Sequence, residues 1–308
     1  MKLLITGATG MIGRNIMALA KEKNMTVHFL TTKKHKRMDT DKRRGFYWNP
    51  KTGEIDEECF EGVDALIHLA GASISKPWTS TNRKEILDSR ILSTRLLRKE
   101  MERQKIKLKN IICASAIGIY PDSLVEVFDE KSQLVEENFL QKVTAAWERE
   151  SHTLAAFGDR LSILRIGLVL AKGEGLLSQL TLPVKLLVGA AFASGKQWQS
   201  WIHIRDLSRV FITAIEMDWN GTFNAVAPHP VSQRTLINTL GAALGRPVFL
   251  PNIPGFLMKL LMGERAILIL GSQKISSQKL LSNGFSFEYD TLNTALEHIF
   301  KKKNDILT

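Results

Sequence analysis

The amino-acid sequence predicts an α/β fold in which a doubly wound parallel sheet is followed by a smaller C-terminal lobe. Three observations predict it. Short apolar runs alternate with longer segments of helical spacing through the first half of the 308 residues. The apolar runs are almost uninterrupted, as in strands that are buried on both faces. A glycine-rich turn follows the first run directly, at the position where such a sheet commonly binds a ligand.

Each strand of this sheet is predicted from a short apolar run, and each helix from a longer segment between two runs. The predicted strands are 3–6, 27–31, 65–70, 111–114 and 161–166. The predicted helices of the first half are 12–23, 82–103 and 139–157. Proline and glycine interrupt the second half, where helices are predicted only at 207–217, 232–244 and 292–301.

The composition is that of an ordinary globular protein, with 44% hydrophobic and 24% charged residues. Cys59 and Cys113 stand far apart in apolar surroundings, so we interpret them as buried free thiols of a reducing compartment. No targeting pattern precedes the first apolar run, and charged residues interrupt the longest apolar stretch, 256–270. We therefore expect a cytoplasmic protein without a membrane contact. No spacing of His, Cys, Asp and Glu predicts a metal site.

The net charge is +11, and basic residues concentrate in 33–44, 95–109 and 301–303. None of these clusters is interleaved with aromatic side chains, as a nucleic-acid surface commonly is. Solvated helix faces and loops explain most of the charge, so we expect no nucleic-acid partner. The first cluster directly follows the second predicted strand, where positive charge can have a specific use.

The strongest functional signal lies between the first predicted strand and the first predicted helix. Gly7 permits a tight turn, Gly10 lets a ligand approach the backbone, and Gly13 lets the helix pack closely on the strand. Free amides at the start of the helix then favour a phosphate. The residues predicted to hold the pyrophosphate of a dinucleotide are Gly7, Ala8, Thr9, Gly10, Met11, Ile12 and Gly13. The alternative is a turn with a purely structural role.

The end of the second predicted strand indicates which dinucleotide is bound. Sites that prefer NAD commonly place an acidic residue here, against the ribose 2′-hydroxyl. The sequence instead has Thr31, Thr32, Lys33 and Lys34, and its next acidic residue is Asp39. Two hydroxyls and two cations suit a 2′-phosphate, so the predicted cofactor is NADP(H). Alternatively, both lysines point into solvent and the site discriminates poorly.

Several further motifs accompany the glycine turn. They are Asp64-Ala65-Leu66-Ile67-His68-Leu69-Ala70-Gly71, Trp78, Ser89-Arg90, Ser115 to Tyr120, Phe139 to Glu148, Arg165-Ile166-Gly167, Gly195 to Leu207, Asn224 to Pro228, Gly263-Glu264, Gln273-Lys274 and Gly284-Phe285. With them, nearly the whole chain resembles the atypical extended short-chain dehydrogenase/reductases. It is most similar to their NAD-dependent epimerase/dehydratase-like oxidoreductase group, which carries a small C-terminal domain of unknown function.

The resemblance implies a Rossmann-type fold with the cofactor over the carboxyl ends of the strands. Leu69, Ala70 and Gly71 would line that cofactor, and Arg165 is assigned to the same set. Ser115 falls where the superfamily keeps its catalytic serine, whose hydroxyl stabilises charge on a substrate oxygen. The implied NADP-binding domain is 1–170, and parts of 195–230 extend its sheet. Mixed substrate-lobe and return segments follow at 171–246, and the small C-terminal domain is 247–300.

The chain departs from the superfamily at its proton-transferring pair, a Tyr followed four residues later by a Lys. Leu140 and Thr144 occupy these positions, and the segment 124–157 contains no Tyr. Two other residues are candidates for the site. Tyr120 either supplies the proton or is a packing aromatic. Arg90 either binds a carboxylate or phosphate of the substrate or forms a salt bridge between helices.

Three functions are compatible with these residues. The first is an NADP(H)-dependent oxidoreductase acting on an unknown small carbonyl or alcohol substrate. The second is a non-catalytic NADP(H)-binding redox sensor or interaction protein, which the missing Tyr and Lys motivate. The third, a nucleoside-sugar epimerase or dehydratase, rests on the fold alone. Members of the superfamily commonly dimerise through helices that correspond to 82–103 and 139–157, so a homodimer is an open expectation.

Overall fold

The computed structural model describes residues 1–34, 39–40 and 42–301, so the basic clusters predicted at 33–44 and 301–303 lie partly outside the described residues. The chain forms two compact units. The first comprises Met1–Ile119, Leu134–Arg165 and Leu207–Phe223, and the second comprises Tyr120–Gln133, Ile166–Asp206 and the chain from Asn224 onward. Each unit is assembled from three separate segments of the chain.

The elements are numbered in chain order. The strands are β1 (Lys2–Thr6), β2 (Thr26–Thr31), β3 (Asp39–Thr40), β4 (Arg43–Asn49), β5 (Glu54–Ile55), β6 (Ala65–His68), β7 (Leu108–Ala116), β8 (Val127–Phe128), β9 (Gly158–Ile166), β10 (Leu168–Leu170), β11 (Trp198–Gln199), β12 (Trp201–His203), β13 (Gly221–Ala225), β14 (Val231–Ser232) and β15 (Lys274–Ile275). The α-helices are α1 (Met11–Glu22), α2 (Ser80–Arg103), α3 (Phe139–His152), α4 (Gly175–Lys185), α5 (Ile204–Glu216), α6 (Gln233–Ala243), α7 (Gly255–Met262), α8 (Ile267–Leu270), α9 (Gln278–Ser282) and α10 (Leu292–Phe300). Every predicted strand and helix has a counterpart here, with shifted ends. No helix in the described part of the chain has both the length and the hydropathy needed to cross a bilayer.

The largest sheet has the strand order β13-β9-β7-β6-β1-β2-β4-β3, with β5 paired to β4. β1 pairs in parallel with both β2 and β6. Parallel pairing continues to β4 on one side and to β7 on the other. The chain therefore builds one half of the sheet outward from β1, returns to the centre and builds the other half, which confirms the predicted doubly wound fold. Such a sheet has its switch point between β1 and β6, where ligands commonly bind.

The core of the first unit explains why its strands are continuous apolar runs. Leu4, Leu66 and Ile111 come from three neighbouring strands and are fully buried in one cluster with Leu97 and Met101 of α2. Helices cover the sheet, so alternate positions of a strand do not reach solvent. Burial of this apolar surface, at about 25 cal/mol per Å², is the main term that holds the helices on the sheet.

Three elements differ from their prediction in extent or in being predicted at all. β6 ends at His68 rather than at residue 70, because the amides of Leu69 and Ala70 donate to the Thr6 side chain instead of to a neighbouring strand. α3 ends at His152, and 153–157 tightens into a 3-10 helix. No apolar run predicts β4, because this strand near the margin of the sheet is only partly buried and mixes charged with aromatic residues.

The described residues of the second unit form three two-stranded sheets. β10 pairs in parallel with β12, β15 pairs in parallel with β8, and β11 pairs antiparallel with β14. Its main core buries Trp201 of β12 among apolar side chains of α4, α6 and α10. No helix is predicted at α4, because Pro183 lies within it and glycines precede it.

Candidate functional site

The glycine turn between β1 and α1 has the close packing that its sequence predicts. Gly7 adopts a φ of +67°, a conformation that favours glycine. Its carbonyl oxygen accepts a hydrogen bond of 3.0 Å from the Gly10 amide. A Cβ on Gly13 would lie 2.4 Å from that same oxygen and 2.6 Å from the Cα of Ala8. Because these contacts are far too short, the turn closes onto the helix only with glycine at position 13.

The start of α1 leaves backbone amides available to a ligand. Gly10 precedes the helix and provides no side-chain cap, so the first amides of α1 are not bonded by a capping side chain. A Cβ on Gly10 would meet only the Gly7 carbonyl oxygen, at 3.3 Å. Thr9 and Gly10 are exposed. Free amides and the positive end of a helix at an exposed turn fit a phosphate group.

Arg14 belongs to this turn, although it lies outside the predicted cofactor residues 7–13. It follows Gly13 in the first turn of α1, and its Nη1 donates to the Thr9 carbonyl oxygen at 2.5 Å. Its side chain is exposed. An arginine directly after the third glycine was the available signal, because it adds positive charge where a pyrophosphate is expected.

The loop that follows β6 lies against the glycine turn. Thr6, at the end of β1, accepts with its Oγ1 from the amides of Leu69 at 3.0 Å and Ala70 at 3.1 Å. A Cβ on Gly7 would lie 3.0 Å from the carbonyl group of Leu69. The structure therefore brings the predicted cofactor segments 7–13 and 69–71 together at the switch point of the sheet.

A buried chain of hydrogen bonds supports this contact. The Thr6 Oγ1 lies 2.8 Å from Nδ1 of His68, and Nε2 of His68 lies 3.0 Å from Oγ1 of Thr94. Thr94 donates its hydroxyl proton to the Arg90 carbonyl oxygen, so it accepts from His68 Nε2. His68 Nδ1 then accepts from the Thr6 hydroxyl, and a neutral imidazole satisfies every group. Burial lowers the pKa of His68 to about 4, in agreement with this neutral form.

We expect the free energy of unfolding to fall as the pH drops below 6.5. His68 in the first unit and His203 in the second are buried, and burial lowers their pKa values to about 4 and about 3. In the unfolded chain each imidazole titrates near 6.5, so unfolding takes up protons between these values. Each histidine therefore contributes stability that is complete above this range and is lost within it, at up to about 1.4 kcal/mol per pH unit.

Urea unfolding at about pH 7.5 and about pH 5 measures this loss. His68→Gln should show a weaker pH dependence than the wild-type protein. His152→Gln, at an exposed position of α3, is the matched control and should keep the wild-type dependence. Equal unfolding free energies of the wild-type protein at both pH values would contradict the neutral buried imidazoles.

The end of β2 presents the predicted cations to solvent. Thr31 is buried, and its Oγ1 accepts from the Lys33 amide at 3.2 Å. Thr32, Lys33 and Lys34 are exposed. The Nζ of Lys34 lies 4.8 Å from the centre of the Tyr47 ring, a cation–π contact that draws this lysine toward β4.

Lys34 lies on a cavity of about 440 Å³ that also contains acidic residues. The lining residues are Lys34, Tyr47, Glu54, Ile55 and Asp56. Asp56 accepts from the Tyr47 amide at 2.7 Å, whereas Glu54 is exposed. The residues that directly follow β2 in the sequence give no sign of these two carboxylates, which the β4–β5 hairpin brings to the cavity that Lys34 lines.

Ser115 lies at the end of β7, but its hydroxyl is buried inside the first unit. Its Oγ donates to Oε1 of Glu148 on α3 at 2.6 Å. Arg165 of β9 binds the same carboxylate through two hydrogen bonds of 2.9 Å, from Nε to Oε1 and from Nη2 to Oε2. The side chains of Arg165 and Glu148 are 5% and 8% exposed. The three residues form one buried network that fastens α3 to the sheet.

This network differs from both roles that the resemblance implies. The hydroxyl of Ser115 has one proton and already donates it to Glu148, so the geometry does not present it to a substrate oxygen. The guanidinium of Arg165 is paired with Glu148 rather than directed to a cofactor. In the sequence, Glu148 is the residue that indicates this network, because a buried carboxylate requires a cation and further hydrogen-bond donors nearby.

Arg90 of α2 lies beside the loop after β6, and no described carboxylate forms a salt bridge with it. Its Nη1 donates to the carbonyl oxygens of Ala72 at 3.2 Å and Ile86 at 2.8 Å. The neighbouring Ser89 accepts from the Ala72 amide at 2.8 Å, so the pair holds both backbone groups of Ala72. The guanidinium lies 4.9 Å from the ring centre of Trp147 on α3. A cation–π contact therefore replaces the interhelical salt bridge that the sequence left open.

The remaining acid–base candidates are engaged in packing. Tyr120 belongs to the second unit, is fully buried, and donates its hydroxyl to Asn224 Oδ1 at 2.7 Å. It also stacks on Phe128, with ring centres 5.6 Å apart. This geometry matches the packing interpretation and not the proton donor. On α3, Thr144 is buried and donates to the Leu140 carbonyl oxygen at 2.8 Å, so neither of these positions supplies a proton.

Comparison with known proteins extends over both units. Residues 3–225 match the family described as "NAD dependent epimerase/dehydratase family". Residues 253–299 match the "Domain of unknown function (DUF1731)". The chain is 32% identical over 307 residues to the epimerase family protein YfhF of Bacillus subtilis (strain 168), a match that covers 99% of this chain and 100% of that protein.

Two solved structures share the fold along the chain. The human epimerase family protein SDR39U1 (isoform 2), determined with NADPH, has a TM-score of 0.84 and 30% identity, covering 97% of this chain and 99% of that chain. The nucleoside-diphosphate sugar epimerase from Corynebacterium glutamicum has a TM-score of 0.76 and 28% identity, covering 97% of this chain and 58% of that chain. These matches confirm the resemblance that the motifs indicate, including the C-terminal domain.

Proposed function

The chain belongs to the NAD dependent epimerase/dehydratase family, and from that premise we propose that it binds a nicotinamide dinucleotide, NADPH in preference to NADH, and acts as an oxidoreductase on a small carbonyl or alcohol substrate. The observation that carries the proposal is the glycine turn, which packs through Gly7 against the loop after β6 and leads into the start of α1, where no side chain caps the amides. The human SDR39U1 structure, determined with NADPH, supports the choice of cofactor.

The residues of the site fit such a cofactor. Position 10 has no side chain where a pyrophosphate would approach the amides of α1, and the exposed Arg14 adds positive charge there. The segment 69–71 would line the other side, and Lys33 and Lys34 would meet a 2′-phosphate. Ser115 and Arg165 hold α3 on the sheet through Glu148, and the proposal assigns them no contact with the cofactor.

When bound, the nicotinamide would supply or accept a hydride. The chain's own part is to bind and orient the two reactants. Leu140, Thr144 and Ser115 offer no transferable proton, since the first is apolar and the hydroxyls of the other two are donated to protein oxygens. We therefore propose that water supplies the proton of the reaction.

Titration of the purified protein with NADPH and NADH tests the proposal. We expect NADPH to bind at least about tenfold more tightly than NADH. Lys33→Ala and Lys34→Ala should each reduce this preference, because each removes a cation at the end of β2. Glu54→Gln is the matched variant. It removes a negative charge from the cavity that holds Lys34, so it should keep or increase the preference.

The outcomes separate the two parts of the proposal. Failure of both dinucleotides to bind would overturn it and leave the glycine turn with a structural role. Equal affinity for NADPH and NADH would overturn only the preference for the phosphorylated cofactor.

A non-catalytic NADP(H)-binding sensor is the second candidate function. The hydrogen bonds that occupy the Ser115 and Thr144 hydroxyls favour it, because they leave these positions without acid–base chemistry. A sensor must bind NADP⁺ and NADPH with different affinities and turn over neither. Oxidation of NADPH with any member of a panel of small carbonyl compounds would exclude it. A sugar-nucleotide epimerase, as the Corynebacterium protein is named, is a third candidate, against which the missing Tyr argues.

Location and assembly belong to the same proposal. We propose a cytoplasmic location, because Cys59 and Cys113 are free buried thiols, a state that a reducing compartment preserves. We also propose that the chain forms a homodimer through α2 and α3. Sedimentation of the purified protein at several concentrations would test the dimer.

A further inference from the structure

Arg90 carries a positive charge for which the described chain offers no anion. A guanidinium has five N–H groups, and the two on Nη1 donate to the carbonyl oxygens of Ala72 and Ile86. The three on Nε and Nη2 have no acceptor among the described residues. Burial lowers the pKa of Arg90 to about 10, which leaves the group charged at neutral pH. A partly buried cation of this kind is stabilised by an anion that reaches its free edge.

Two other arginines of the first unit have an acidic partner, which Arg90 lacks among the described residues. Arg165 is paired with Glu148, and Arg95, on the same helix as Arg90, is paired with Glu150. Beneath Arg90 lies Trp147, whose indole N–H is buried without a hydrogen-bond partner in the described structure. A guanidinium edge without a protein acceptor and a buried indole N–H without a partner therefore occur in one place, where α2 meets α3.

This place adjoins the proposed cofactor loop. A Cβ on Gly71 would lie 3.1 Å from Cζ of Arg90, so the guanidinium packs directly on the backbone of the segment 69–71. The absence of a side chain at position 71 is what permits this approach. A free donor edge beside the cofactor loop is positioned for a molecule that reacts with the cofactor.

We propose that Arg90 binds the carboxylate of the substrate, so that the substrate is a small oxo acid or hydroxy acid. The inference rests on the proposed function and names its substrate class. The Nε–Nη2 edge provides two parallel donors, which match the two oxygens of a carboxylate. A single cation balances a monoanion, whereas a phosphate dianion needs further charge. Lys76, which precedes α2, and Lys84 of α2 do not supply it, because they are paired with Glu85 and Asp88.

Oxamate is a suitable probe, because it carries a carboxylate next to a carbonyl group and resists reduction. Calorimetric titration of oxamate into the NADPH-saturated protein should give saturable binding. In Arg90→Gln and Arg90→Lys the dissociation constant for oxamate should rise at least about tenfold, since the lysine keeps the charge but loses the planar pair of donors. The dissociation constant for NADPH should rise clearly less than that for oxamate in both variants. Lys99→Gln, at an exposed position of α2, is the matched control and should leave both constants unchanged.

Four results would overturn the inference. The first is an oxamate affinity that does not change in Arg90→Gln, and the second is a loss of NADPH affinity as large as the loss of oxamate affinity. The third is tighter binding of inorganic phosphate than of oxamate. The fourth is no oxamate binding at tens of millimolar to a protein that has bound NADPH. The NADPH titration precedes the oxamate titration. Its failure would overturn the proposed function itself, whereas failure of oxamate alone would overturn only the substrate class.

Discussion

Replacing Arg165 with methionine is expected to destabilise the protein by about 3–5 kcal/mol, because it breaks a buried ion pair by removing one partner. The Glu148 carboxylate is 8% exposed and would keep only the Ser115 hydroxyl as a partner. A buried carboxylate without its cation either stays charged at a high desolvation cost or takes up a proton. In both cases α3 loses the two hydrogen bonds that fasten it to β9.

Urea unfolding of Arg165→Met beside the wild-type protein measures this loss. The double variant Arg165→Met/Glu148→Leu removes both charges and should recover most of the stability, to within about 2 kcal/mol of the wild-type protein. Arg95→Met is the matched control, because Arg95 is 57% exposed and its pair with Glu150 should contribute at most about 1 kcal/mol. Equal losses of unfolding free energy in Arg165→Met and Arg95→Met would contradict the prediction that the buried ion pair contributes more stability than the exposed one.

Alanine substitutions at Gly10 and at Gly13 should differ in their effects, the first acting mainly on NADPH binding and the second on stability. Gly10→Ala should leave the stability within about 1 kcal/mol of the wild-type value, because the new Cβ meets only one atom, at 3.3 Å. It should nevertheless raise the dissociation constant for NADPH at least about tenfold, because the methyl group occupies the approach to the α1 amides. Gly13→Ala should destabilise the protein by about 1–3 kcal/mol or more, because its Cβ would overlap the Gly7 carbonyl oxygen.

Thermal unfolding without ligand and a fluorescence titration with NADPH separate these two effects. Gly255→Ala is the matched control, because this glycine also stands at a helix start and its Cβ would meet its nearest neighbour at 3.3 Å. It should change NADPH binding little. Unchanged NADPH affinity in Gly10→Ala would show that the turn does not hold the cofactor.

The sheet and the glycine turn could be predicted because their signals are local. Gly7, Gly10 and Gly13 act on one another over a few residues, and the structure places them in contact as the pattern indicates. The central strands are likewise visible as apolar runs, because burial on both faces removes polar positions. The margin strand β4 lacks this signal, since its exposure varies from one residue to the next.

The chemistry of individual side chains could not be predicted in the same way. The resemblance implies a catalytic role for Ser115, yet its hydroxyl is committed to Glu148, a residue 33 positions away in the sequence. Glu54 and Asp56 reach Lys34 only because β4 and β5 form a hairpin. In each case a contact between distant residues decides what the group can do, and a linear pattern does not contain that contact.

Thr6 joins the glycine turn to the loop after β6 through a single oxygen atom, which accepts from two amides of that loop. The two backbone segments of the proposed cofactor site therefore have their relative position before a ligand arrives. Binding to segments that are already ordered costs less conformational entropy than binding that must first arrange them. Such preorganisation implies that differences in affinity among dinucleotides would arise mainly from how fast each one leaves.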